Sequence, residues 1–123
     1  MRARHLGEHA LTGPLKPGWP TRLFLHHLEP PVKQRVKAPK AIAPAEKVDA
    51  RLALREFLQS QQAAMYLLDE SADLDLNRIR FVNPLVPGVR FTVGAGFLIL
   101  AAHERRHLWQ AAQGLASMAP SNR

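Results

Sequence analysis

Ala101-Ala102-His103-Glu104-Arg105-Arg106-His107-Leu108-Trp109-Gln110 is the stretch on which the reading of this chain turns. It contains neither Gly nor Pro and continues an apolar block that begins after Thr92, so one long helix is its simplest conformation. Thr92 is a suitable N-cap, because its hydroxyl can accept one of the backbone N–H groups that a helix start leaves unbonded. The helix is expected from about 92, through Gly94 and Gly96, to Gly114 or Leu115. A helix turns about 100° per residue, so His103 and His107 stand one turn apart and about 40° apart around the axis. Their imidazoles can be directed to one point. Gly96, Ile99, Leu100, Gln110 and Ala111 fall within about 80° of His103, and Arg105 and Trp109 lie roughly opposite. Both histidines are thus expected on an apolar, inward side, with the intervening arginines pointing away.

Two inward imidazoles cost free energy unless their ring nitrogens are satisfied. A divalent metal does this, since neutral His is among its preferred ligands. The plainer alternative is that each ring bonds to a backbone carbonyl, a carboxylate or a water. Gly96, on the same face, either leaves space beside such a site or lets another element pack closely. The same residues match H-E-x-x-H, in which Glu104 would be the general base of a zinc protease. That pattern needs a further ligand downstream, and no Asp, Glu or His follows His107. Glu104 is read as a surface residue.

Proline divides the remainder. Seven of the ten prolines lie between 14 and 44, each removing a backbone donor and restricting its predecessor, so long helices are excluded there. A short helix is predicted over Thr21 to Leu28 with Thr21 as N-cap and Pro30-Pro31 as the stop. Lys33 to Lys40 reads as solvated loop. From 44 to 70 apolar residues recur at threes and fours (Val48, Leu52, Phe57 or Leu58, Met65, Leu68), which predicts a second long helix with Pro44 at its first position. Residues 72–90 lose that period and are expected to form an extended connection anchored by Leu74, Leu76, Ile79, Phe81 and Leu85. Residues 116–123 read as a tail, and no strand pattern of useful length is seen.

Composition limits the function classes. With 123 residues one domain is expected, over 1–115, and the absence of Cys removes disulfides, thiolate metal sites and cysteine nucleophiles. The net charge of +7 is concentrated in residues 1–40, where Arg2, Arg4, Lys16, Arg22, Lys33, Arg35, Lys37 and Lys40 face only Glu8 and Glu29. No aromatic residue interleaves the densest part, so nucleic-acid binding is not expected. The longest apolar run, Phe91 to Ala102, falls short of the roughly twenty residues a membrane span needs. A cytoplasmic location is expected, because Arg2, Arg4, His5, Glu8 and His9 occupy the place where a secretory signal would be apolar.

From Asp73-Leu74-Asp75, through Val82-Asn83-Pro84 and Phe91-Thr92-Val93-Gly94, to His103-Glu104-Arg105-Arg106-His107-Leu108-Trp109-Gln110, the chain resembles the DinB/YfiT-like superfamily of four-helix metal-binding bundles. The resemblance is closest over about 44–113. It implies an all-α, up-and-down bundle, here incomplete: two long helices plus shorter N-terminal ones, the family's leading helix lacking and Met1 lying inside a longer ancestral frame. It also implies Zn²⁺ or Ni²⁺ held by His103, His107 and a third His from an earlier helix. For that third ligand only His9 and His5 are available near the start, with the adjacent His26 and His27 as weaker candidates. The implied activity is divalent-metal binding, with metal-dependent thiol transfer or hydrolysis on a small-molecule or thiol substrate. The alternative is a non-catalytic, truncated bundle that acts as an interaction or dimerisation module, and a homodimer is expected.

Overall fold

The computed structural model describes residues 14–33, 37–38, 40, 43, 45–83 and 87–118. It is mostly helical: α1 spans Trp19–Leu28, α2 Ala50–Glu70 and α3 Val93–Met118, with a two-stranded antiparallel sheet of β1 (Arg80–Val82) and β2 (Arg90–Thr92) before α3. The all-α expectation therefore holds in outline. The chain forms two compact units, one of Met1–Leu11 with Val36–Leu74 and one of Thr12–Arg35 with Asp75–Arg123.

The first unit contains α2. Its start is set by Asp49, whose carboxylate accepts from the N–H groups of Arg51 and Leu52 at 2.9 and 3.1 Å. Two otherwise orphaned donors are thereby satisfied, so the helix begins at Ala50, six residues after the expected Pro44. Pro44 itself lies outside the described residues. The end agrees with expectation, Ser71 capping the last turn with its N–H on the carbonyls of Leu67 and Leu68. No residue of α2 is buried, and Leu54, Phe57, Leu58 and Met65 all stand exposed.

The second unit contains α1, the hairpin and α3. Pro20 lies in the first turn of α1, where its fixed φ suits a helix and its missing N–H loses nothing. The helix consequently starts at Trp19 behind an extended Gly18, and Thr21, expected to cap it, is buried inside the first turn. The 72–90 connection is not simply extended. Strands of three residues are too short to show a period of two, yet Arg80 pairs with Thr92, Phe81 with Phe91 and Val82 with Arg90. Gly88, at φ +81°, occupies the left-handed region that the turn requires, and the N–H of Asn83 closes onto the carbonyl of Val89 at 2.8 Å. Of the expected anchors, Leu76 is buried and Ile79 half-buried, Phe81 is partly exposed, and Leu85 lies outside the described residues.

Asp75 and Asn77 organise the turn that precedes the hairpin. A carboxylate oxygen of the buried Asp75 accepts from the N–H of Asn77 at 3.1 Å, fixing the chain direction. The Asn77 amide then behaves like a peptide group: its Oδ1 accepts from the N–H of Lys16 at 2.7 Å, and its Nδ2 donates to the carbonyl of Pro14 at 3.1 Å. The Pro-rich segment before α1 is tied down in this way.

Three donors at the α3 N-terminus are all accounted for. Val93 N–H bonds to Ile79 O at 2.8 Å, Gly94 N–H to Leu76 O at 2.9 Å, and Ala95 N–H to Thr92 Oγ1 at 3.1 Å. Thr92 is the N-cap the sequence predicts. At the other end α3 continues through Gly114 to Met118, so the first residues of the expected tail are helical; residues 119–123 lie outside the described residues.

Candidate metal centre

The unit's interior is lined by Ala95 and Ala102 of α3, Thr21 and Leu28 of α1, and Leu76. Small residues on α3 let its neighbours approach closely, Gly94 and Gly96 included. A Cβ at Gly96 would stand 3.0 and 3.2 Å from ring atoms of Phe81. The room at Gly96 is therefore filled by the hairpin and does not open beside the histidines.

The inward face differs from expectation. Arg105 grips Glu29 at the end of α1 with a two-pronged ion pair, its Nε donating to Oε2 at 2.9 Å and its Nη2 to Oε1. Arg106 donates from Nη1 to the carbonyl of His27 at 3.3 Å. The arginines thus reach α1, Arg105 from an exposed position and Arg106 from a half-buried one, while His103 and His107 are exposed and not turned inward. From Phe91 to Ala102 the sequence is apolar on every side, so a helical wheel cannot tell which side packs; close approach at Ala95 and Ala102 decides it. The guanidinium beside Glu29 holds its carboxyl below the ordinary range, and the Arg105 value is raised in return.

The convergence of the two histidines is present. The Nε2 atoms of His103 and His107 stand 2.9 Å apart, with the rings edge to face at a centroid separation of 4.4 Å. His107 Nδ1 lies 3.0 Å from Gln110 Oε1. An amide oxygen only accepts, so the proton of neutral His107 sits on Nδ1 and its Nε2 presents a lone pair. That lone pair accepts from His103 when His103 carries its proton on Nε2. In the other tautomer two lone pairs face each other, an arrangement that calls for a cation between them. The ring pKa of His103 is lowered, chiefly by partial desolvation and then by the neighbouring His107 and Arg106, with Glu104 opposing. A lowered value favours the neutral, ligating form.

Gln110 is the neighbour of the pair that histidine spacing alone does not single out. Its signal is the further three-residue step from His107, which returns to the same helix face. His26 and His27 form a separate exposed pair in the last turn of α1, with ring centroids 6.0 Å apart. His5 and His9 lie outside the described residues.

The DinB superfamily profile matches residues 2–111, extending the resemblance through the Pro-rich third of the sequence. The chain belongs to the DinB superfamily. No curated protein and no solved structure gives a significant match. DinB superfamily proteins are generally metal-binding, and the facing Nε2 atoms, oriented by Gln110, are the donor type and spacing that such an ion takes. Among the described residues, however, no group of three or more His, Asp or Glu side chains comes together. The fit is thus to two ligands of a metal. No described helix is long and apolar enough to cross a membrane.

Proposed function

We propose that this DinB superfamily chain binds a divalent metal ion, Zn²⁺ or Ni²⁺, through His103 and His107. The observation that carries the reading is the 2.9 Å approach of two imidazole nitrogens on an exposed helix face, with Gln110 holding the His107 proton on the far side of its ring. This is the arrangement in which a hydrogen-bonded partner fixes the tautomer of a ligating His. His9 and His5 are the candidates within the chain for completing the coordination. When bound, a divalent ion supplies Lewis acidity that lowers the pKa of a coordinated thiol or water and polarises an acceptor, which suits thiol transfer or hydrolysis. In that chemistry His103 and His107 hold and orient, and the exposure of their face leaves access for a small-molecule or thiol substrate. The cytoplasmic setting expected from the sequence is compatible with such a substrate.

Metal content decides the reading. Tag-free protein dialysed against Zn²⁺ or Ni²⁺ is expected to retain a stoichiometric amount, and His103→Ala and His107→Ala are each expected to lose it. Equal trace metal in all three proteins would reject the proposal. A second reading, a non-catalytic interaction module, is favoured by the exposed Leu54, Phe57, Leu58 and Met65 of α2. It predicts self-association that Leu54→Glu or Leu58→Glu abolishes while metal content is unchanged.

A further inference from the structure

We infer that the hairpin end of the second unit binds single-stranded nucleic acid, with phosphates on Lys16, Arg22, Arg80 and Arg90 and a base stacked on Trp19. The inference is independent of the metal-binding reading and starts from where the charge lies. The second unit holds ten Lys and Arg against three acidic residues, whereas the first holds seven of each, so the whole excess of +7 belongs to one unit. No Asp or Glu occurs from 9 to 28 or from 76 to 103. Of the unit's three acids, Glu29 is gripped by Arg105, and Asp75 is buried with Arg78 at 3.7 Å. A surface of one sign draws an anionic polymer to it.

Hydrogen bonds join the two acid-free stretches. The Asn77 amide holds both the N–H of Lys16, at 2.7 Å, and the carbonyl of Pro14, at 3.1 Å. Trp19 follows three residues after Lys16 and is 71% exposed, and Arg22, also exposed, lies one turn farther along the same face of α1. On the other stretch Arg80 opens β1, three residues after Asn77. Because Arg80 stands opposite Thr92 and Val82 opposite Arg90, the two exposed arginines share one face of the hairpin. Phe81 and Phe91 occupy the other face, their rings 6.3 Å apart.

A guanidinium meets a phosphate with two parallel N–H bonds, and cations spread along a surface can follow a strand's backbone. Bases freed from pairing stack on a flat ring. Trp19, between Lys16 and Arg22, supplies one, although no aromatic lies within Lys33 to Lys40. A duplex keeps its bases from such a ring. A lipid surface calls for apolar insertion across the patch, whereas the hairpin turns both its rings away from its arginines.

The experiment is fluorescence anisotropy of a labelled oligothymidylate of about 15 nucleotides, titrated with the full-length, tag-free chain over a series of salt concentrations. The logarithm of the binding constant is expected to fall against the logarithm of salt concentration with a slope of about −3, as four phosphate contacts on a single strand require. Arg22→Gln, Arg80→Gln and Arg90→Gln are each expected to make the slope shallower by about 0.7. Trp19→Ala is expected to weaken binding about 5- to 100-fold, and Trp19→Phe less. In Trp109→Phe, whose remaining indole is Trp19, the oligonucleotide is expected to quench the emission. All these variants should keep the parent's circular dichroism and melting temperature. His103→Ala is expected to bind like the parent, which separates this surface from the metal reading. Binding that ignores Trp19, or that is lost only in Lys33→Gln and Lys37→Gln, would overturn the assignment. Tighter binding to a duplex of equal length, or binding to phosphatidylserine vesicles without binding to the oligonucleotide, would overturn it equally.

Discussion

Three glycines of α3, each replaced by alanine, test whether close approach at the start of this helix holds the second unit together. In an exposed helix Gly→Ala gains up to about 1 kcal/mol from lost backbone freedom in the unfolded chain and better helix propensity. At Gly114 the added Cβ meets nothing within 4 Å, so only this gain acts; near the helix end it is expected to be about 0.5 kcal/mol. At Gly94 the Cβ would lie 2.7 Å from Leu15 Cδ2 and 3.2 and 3.4 Å from the carbonyl oxygen and carbon of Leu76. The Leu15 methyl can swing aside. The Leu76 carbonyl cannot do so freely, because it holds the Gly94 N–H at 2.9 Å and belongs to a residue only 5% exposed. Overpacking of this kind costs about 1–3 kcal/mol, which outweighs the helix gain and leaves a net loss of about 1–2 kcal/mol. Gly96 falls between them, since its obstacle is the partly exposed Phe81 ring, which can tilt; Gly96→Ala is expected within about 0.5 kcal/mol of the parent. Urea unfolding followed by far-ultraviolet circular dichroism measures all three, provided the slopes agree. A Gly94→Ala protein as stable as the parent, or a Gly114→Ala protein destabilised as much as Gly94→Ala, would refute the packing argument.

Asp49→Ala removes the carboxylate that accepts from Arg51 and Leu52; a loss of about 0.5–2 kcal/mol from α2 is expected, read as reduced ellipticity at 222 nm. Glu29 responds to pH in a defined direction: its folded pKa lies below the ordinary 4.5, so its contribution is complete above that value and disappears as pH falls through the lower folded pKa. Acid titration of Glu29→Gln is expected to lack that component of the parent's unfolding curve, and superimposable curves would count against the Arg105 pairing. Gln110→Ala leaves both ligands in place but releases the His107 tautomer; calorimetric titration with Zn²⁺ is expected to show affinity about 10–100-fold weaker. Unchanged affinity would mean that the 3.0 Å contact does not orient the ring.

What the sequence disclosed depended on how local each feature is. Thr92 was legible as a cap because a hydroxyl just before an apolar run satisfies a backbone donor only a few residues away, and it does so on Ala95. Asp49 offers the same chemistry, but Pro44 upstream is an equally good starting signal, and spacing alone does not rank them. The hairpin was illegible for another reason. Its strands have three residues each, and its existence depends on Val93 and Gly94 finding the carbonyls of Ile79 and Leu76, a pairing that propensity does not encode.

The same distinction governs the site. The approach of His103 to His107 requires only that α3 be helical, and the tautomer bond to Gln110 lies within the next turn, so all three are written into eight consecutive residues. Which side of α3 faces inward is a tertiary matter, settled by Ala102 packing out of contact with solvent and by Arg105 reaching Glu29. The periodicity argument failed there because it averaged hydrophobicity over a helix whose first half is apolar all round. A donor pair that belongs to one helix survives such a change of facing, since rotating the helix moves both rings together. The rotation changes what the pair can meet: instead of a third ligand from the interior, the rings look out from the surface, where completion of a metal's coordination depends on whatever comes from outside the helix.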